Sequence, residues 1–178
     1  MSPLLREFAR THRRLMQHAE LRAAAEACGL FNAGLPIGWD LVEPLQGGDH
    51  YAPRSDGQPA VIVPAFENGQ LIDLAATSLT TRRALTRDGI ASILGRDAID
   101  HAMVYQTHVL LFQDPLTWLL NRGHGCVVLN WAAARFALSD LPAIACANDV
   151  LAKRVEKALR RPLPLPQIFV REKARHAA

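Results

Sequence analysis

Two carboxylates stand where this chain could do chemistry. Asp114 follows the apolar run HVLLFQ, and Asp149 follows IACAN. Each sits where a strand would hand over to a helix. Ligands of open α/β sheets bind beyond the carboxyl ends of strands, so acids there can hold a divalent cation for phosphoryl chemistry. An acid at the same turn can also simply cap the helix, which is worth about 1 kcal/mol. His124 and Cys126 lie two residues apart, a spacing open to a thiol–imidazole pair. That pair is local, however, and Cys126 heads the apolar run CVVL, so a buried structural cysteine is expected. His101 and His108 flank Tyr105 without metal-like spacing to any acid. Asp40, Asp49 and His50 fall in GWD and GGDH, where turn chemistry explains them as well as a pocket would. The chain has no Gly-x-Gly-x-x-Gly, Walker loop, His-Glu-x-x-His or Gly-x-Ser-x-Gly.

A different chemistry is offered by the basic residues. Net charge is +3, but it is unevenly spread: −5 over residues 32–80 and +6 over residues 150–178. Lys153, Arg154, Lys157, Arg160 and Arg161 lie within nine residues, opposite Leu151, Val155, Ala158 and Leu159. Arg171, Lys173, Arg175 and His176 extend the basic character. Such a face can meet the phosphates of nucleic acid, or it can be a solvated helix with a basic tail. Aromatic residues make up only 6% of the chain, which weakens a base-stacking platform.

The elements that must position these groups follow from periodicity. Residues 4–29 read as one amphipathic helix stopped by Gly29. Residues 32–59 are rich in Gly, Pro, Asp and Asn and read as loop with one short strand. AVIVPAFENGQLIDLAATSL, residues 60–79, reads as a hairpin turning at ENG. Residues 81–103 read as mostly helical, with a break at Gly95. Then strand and helix alternate: HVLLF, a helix begun by Asp114-Pro115, CVVL, a helix over 132–138, AIACA, a helix over 149–159, and a last strand in QIFVRE after the stiff RRPLPLP. This order predicts an α/β fold with a mainly parallel sheet, preceded by a β-hairpin and an N-terminal helix. Two parts are expected: residues 1–59, and an α/β domain over 60–178 with a basic tail.

The composition, 49% hydrophobic and 21% charged, is that of a globular chain with a sizeable core. No apolar run reaches the roughly 20 residues of a membrane span, and the N-terminus lacks the apolar core and cleavage site of a signal peptide. Cys28, Cys126 and Cys146 are odd in number and widely spaced, which points to a reducing, cytoplasmic setting without disulfides.

The strand ends VLLFQDPLTWLL, CVVLNW and IACANDVLAKRVEKAL, with VIVPAFENGQLIDL upstream, resemble the Toprim domain of primases, topoisomerases and related phage and plasmid replication proteins. The resemblance covers roughly residues 60–170 and lies in spacing and hydrophobicity. It implies a catalytic Glu where Gln113 stands, and an Asp-x-Asp metal motif whose first Asp is replaced by Ala147 and whose second is Asp149. It therefore implies a degenerate, non-catalytic accessory of DNA metabolism, without cofactor, touching nucleic acid or a replication protein. The alternative is a phosphoryl-transfer enzyme with a reduced Mg2+ site made of Asp114 and Asp149. A third reading takes LTRDGIASILGRDAIDHAM as a helix-turn-helix of a transcriptional regulator, although Asp97 and Asp100 would face phosphate unfavourably.

Overall fold

The computed structural model describes residues 2–45 and 47–160. The N-terminal stretch forms two helices instead of the one expected, α1 (Pro3–Gln17) and α2 (Ala19–Ala27). Ser2 caps α1 by accepting the Leu5 N–H, and Pro3 takes the first turn, where a missing N–H costs nothing. The break falls at His18, whose backbone is extended. A short 3-10 turn, Leu30–Ala33, leads into the first strand.

Five strands follow: β1 (Gly38–Pro44), β2 (Tyr51–Pro53), β3 (Gln58–Glu67), β4 (Gln70–Ser78) and β5 (Ala84–Thr86). They form an antiparallel sheet in the order β2-β1-β3-β4-β5. The expected hairpin is its centre, turning at Asn68-Gly69, where both residues have positive φ as a twist-matched two-residue turn requires. Residue parity sorts the side chains. Ala60, Ile62, Leu74 and Ala76 share a core with Val42, Tyr51, Leu85 and Phe8 of α1. Val61, Val63, Ala65 and Ala75 point the other way. The sheet curls until its edges meet: His50, beside β2, bridges Thr86 of β5, whose N–H also donates to the Asp49 carbonyl at 3.0 Å.

The second sheet has the order β6-β8-β7-β9, from β6 (Ile93–Leu94), β7 (His108–Phe112), β8 (Cys126–Val128) and β9 (Ala143–Cys146). β7, β8 and β9 are parallel and β6 is antiparallel. Its helices are α3 (Arg96–Tyr105), α4 (Pro115–Leu120), α5 (Trp131–Leu138) and α6 (Asp149–Leu159). Leu94, Phe112 and Val127 pack towards Val61, Val63 and Ala65 of the first sheet. Ile93, Val109, Leu111, Cys126 and Val128 pack under α3, α5 and α6 through Ile99, Ala102, Ala134, Leu138, Leu151 and Val155. The layers thus run α1, first sheet, second sheet, then α3, α5 and α6.

This corrects the expected mainly parallel sheet. The hairpin is no prelude to a parallel domain: β1, from the Gly/Pro-rich segment, and β5, from a segment read as helix, pair with it to make the larger, antiparallel sheet. Apart from the single His50–Thr86 bridge, parallel pairing among the described residues is confined to three strands of three to five residues. Residues 2–45 wrap the core, with α1 packed on β1, β4 and β3. The helix expected over 81–103 exists only as α3. Before it run β5, a loop and β6, so the two helices of a helix-turn-helix are not formed. The expected QIFVRE strand, and the RRPLPLP linker beyond Arg160, lie outside the described residues.

The loop after β5 is set by one side chain. Asp73 of β4 is fully buried. Its Oδ1 accepts the N–H groups of Leu74 (2.8 Å), Arg87 (3.1 Å) and Asp88 (3.0 Å). Its Oδ2 accepts those of Ile90 (2.8 Å) and Ala91 (3.0 Å). A helix would have to satisfy these donors internally, whereas the carboxylate does it in an extended loop. Asp73→Ala strands five donors, those of Leu74 and Ala91 buried and the others partly buried, and is expected to cost about 3–5 kcal/mol. Asp73→Asn should also destabilise, because its NH2 would face donors. Urea unfolding of both variants checks this.

Candidate functional site: the strand ends and the basic groove between α5 and α6

Each parallel strand ends in a helix cap. Asp114 caps α4: its carboxylate accepts the Thr117 N–H (2.9 Å) and the Thr117 hydroxyl (2.8 Å), with the Arg82 guanidinium 3.8 Å away. It is 3% exposed. Asn130 caps α5 through the N–H groups of Ala132 and Ala133. At α6 the cap is Asn148, which accepts the Leu151 N–H at 2.9 Å. The cap expected of Asp149 is therefore made by its neighbour. Asp149 is the first helical residue, exposed, and supports α6 only through the helix dipole.

The Asn148 amide also donates to Gln113 Oε1 at 2.9 Å. Two amides thus bond each other across the edge where metal-dependent phosphoryl chemistry needs converging carboxylates. Asp114 spends its oxygens on a cap, Asp149 is exposed on α6, and Ala147 offers a methyl group. This donor set does not fit Mg2+. Among the described residues no three His, Cys, Asp or Glu side chains are grouped to hold a metal ion.

The basic residues build something more definite. α5 and α6 pack through Ala134, Leu138, Leu151 and Val155, leaving an open groove of about 400 Å³ between their outer faces. Trp131, Ala132 and Arg135 of α5 line one side, and Arg154, Lys157 and Ala158 of α6 the other. The Arg154 guanidinium lies over the Trp131 ring, 4.6 Å from its centroid. Such a stack is worth about 0.5–1 kcal/mol at an exposed site and holds the cation in place. Of the basic residues singled out in the sequence, Arg154 and Lys157 enter the groove. Lys153 is exposed on the adjoining face of α6. Arg160 pairs with Glu156 one turn back, and Arg161 lies outside the described residues. Sequence reasoning missed Arg135, placing a helix over 132–138 without a role for it, and read Trp131 only as the end of the strand CVVLNW. Their i, i+4 spacing, which sets both on one face, was the available signal.

The remaining candidates resolve into structure. Cys126 is fully buried on β8, and Cys146 lies on β9; both are in register with Leu111 of the strand between. Two strand spacings, about 9–10 Å, separate them, beyond the reach of a disulfide. Burial pushes the Cys126 thiol up to about 12, with Cys146 adding to the rise. A thiol so reluctant to ionise is no nucleophile, and His124 is exposed outside the strand. The His101 ring packs against Tyr105, and His50 Nδ1 meets the Thr86 hydroxyl at 3.1 Å. Asp40 is buried and held by Arg10 and Arg14.

Among the described residues no helix is long and apolar enough to cross a membrane. Comparisons with protein-family models, curated proteins and solved structures find no match to the chain.

Asn148→Ala removes a cap and the Gln113 bond together and is expected to cost about 1–2 kcal/mol, against under about 1 kcal/mol for Asp149→Ala. Added Mg2+ should leave the melting temperature of wild type and both variants unchanged. The raised Cys126 thiol has a pH signature. Above about pH 9 the unfolded chain releases that proton while the folded chain keeps it to about pH 12, so stability falls as pH rises through this window. Burial pushes the Tyr51 phenol up as well and adds to the fall. Urea midpoints across this range should decline, and less steeply in Cys126→Ala.

Proposed function

We propose that this chain is a non-catalytic nucleic-acid-binding protein, cytoplasmic, and an accessory of phage- or plasmid-type DNA metabolism. The observation that carries the reading is the α5–α6 groove, where Arg154 is stacked on Trp131 beside Lys157 and Arg135, with Lys153 on the adjoining surface. Guanidinium and ammonium groups of this kind bind phosphate, and their fixed placement lowers the ordering cost of doing so. Trp131 offers a place for one base to stack at the groove.

The strand ends support the negative half of the reading. The Toprim resemblance is kept for the unit β7-α4-β8-α5-β9-α6 alone. In that unit the Gln113–Asn148 amide pair stands where chemistry would need acids. An amide neither ionises nor holds a hard cation strongly, so the edge can position a polyanion but not activate water on it. Duplex and single-stranded DNA are both open to this surface, because no base-reading helix is built on it.

Fluorescence anisotropy of labelled single- and double-stranded DNA against the full chain, across a salt series, tests the proposal. Binding should weaken linearly on logarithmic axes, by about 0.9 per phosphate contacted on duplex DNA. Arg154→Ala with Lys157→Ala should lower that slope by about two without unfolding the protein. No binding by wild type at low salt would overturn the reading.

A further inference from the structure

α1 carries a second row of cations, far from the groove. Arg6, Arg10, Arg13, Arg14 and Gln17 fall within an arc of about 100° at 3.6 residues per turn, on the side opposite Phe8, Thr11 and Leu15, which are buried. All four basic residues are arginine, and all four are exposed. One carboxylate organises the row from below. Asp40, 4% exposed, accepts Arg10 Nη2 on Oδ2 at 3.1 Å and Arg14 on Oδ1. The two side chains it holds stay 60% and 50% exposed. Arg14 is further steadied over the Trp39 ring, 5.8 Å from its centroid.

A single carboxylate cannot neutralise four guanidiniums. Glu7, on the same helix, is turned to Arg87, and among the described residues no acid pairs with Arg6 or Arg13. The surface around the row is open. One hollow of about 380 Å³ is lined by Arg10, Arg13, Arg14, Gln17 and His18. Another of about 220 Å³ lies between Arg10, Arg14, Asp40 and Arg54, the last paired with Glu43 and Asp56. Planar guanidiniums in a row, two of them preoriented by Asp40, match phosphate oxygens better than they match a scattered acidic protein surface.

The layer order gives this row its meaning. α1 covers the first sheet, and α5 and α6 cover the far side of the second. The two basic faces therefore look away from each other. We infer that the arginine face of α1 is a second phosphate-binding surface, and that one chain joins two nucleic-acid segments, one on each side. This inference rests on the nucleic-acid reading of the α5–α6 groove.

The test is a bridging assay with the full chain: an immobilised DNA duplex, a labelled free duplex of unrelated sequence, and capture of label as a function of protein. The α1 variant is Arg6→Glu with Arg13→Glu, which leaves the Asp40 contacts intact. The groove variant is Lys153→Ala, Arg154→Ala and Lys157→Ala. Wild type should capture label. Each variant should lose capture at least tenfold while still binding a single duplex by anisotropy. Capture undiminished in the α1 variant would overturn the inference, since it would mean that bridging arises from paired chains using one face each. Single-duplex binding by wild type without capture would overturn it too, and would leave the groove reading standing. Absence of any binding by wild type at low salt would overturn both.

Discussion

The carboxylate of Asp73 ties the two sheets together. It sits at 0% exposure on β4 and gathers five backbone N–H groups, four of them from the segment that leads into β6. A carboxyl group is stable in such a place only if its lone pairs are filled, and here the chain itself fills them. Residues 87–91 are thereby fixed, Ala91 and Leu94 enter the core between the sheets, and β6 is delivered to the edge of β8. The groove and the strand ends are both carried by the sheet that this junction places.

From that junction the molecule divides its labour. The first sheet curls on itself and supplies a closed, well-packed base. The second keeps the alternation of strand and helix that puts three helix N-termini along one edge. Their caps are Asp114, Asn130 and Asn148, and each turns a side-chain oxygen inward to backbone donors of its own helix. An edge used this way holds helices. Charge is displaced to the outer surface of α5 and α6, where Trp131 and Arg154 set each other's orientation.

How much of this was legible in the sequence depended on whether the governing interaction was local. β7, α4, β8, α5, β9 and α6 all fall where apolar runs, Pro115 and Gly123 put them, because short range signals decide each boundary. The hairpin at Asn68-Gly69 was legible for the same reason. The pairing of β1 and β5 with that hairpin was not. β1 lies among Gly and Pro, and β5 is only three residues long and follows TRR in a stretch of good helix formers. What makes β5 a strand is the open edge of β4 and the pull of Asp73 on the residues after it, neither of which is visible in a window of ten residues. At the site, Arg154 and Lys157 stood out by clustering, whereas Trp131 and Arg135 belong to another helix and gain their meaning only when α5 is laid beside α6. Asp149 looked like a cap because Asp is favoured there, but Asn148 is equally good and one residue better placed.

The two basic faces differ in their chemistry as well as their place. The row on α1 is built from arginine alone, while Lys153 and Lys157 on α6 are the lysines of the described residues. Guanidinium stays charged under any physiological condition, but a lysine amine loses its charge on acylation. One face of the molecule is therefore permanently cationic, while the other is adjustable: acylation of Lys153 and Lys157 would thin its charge to Arg135 and Arg154 without touching the α1 row.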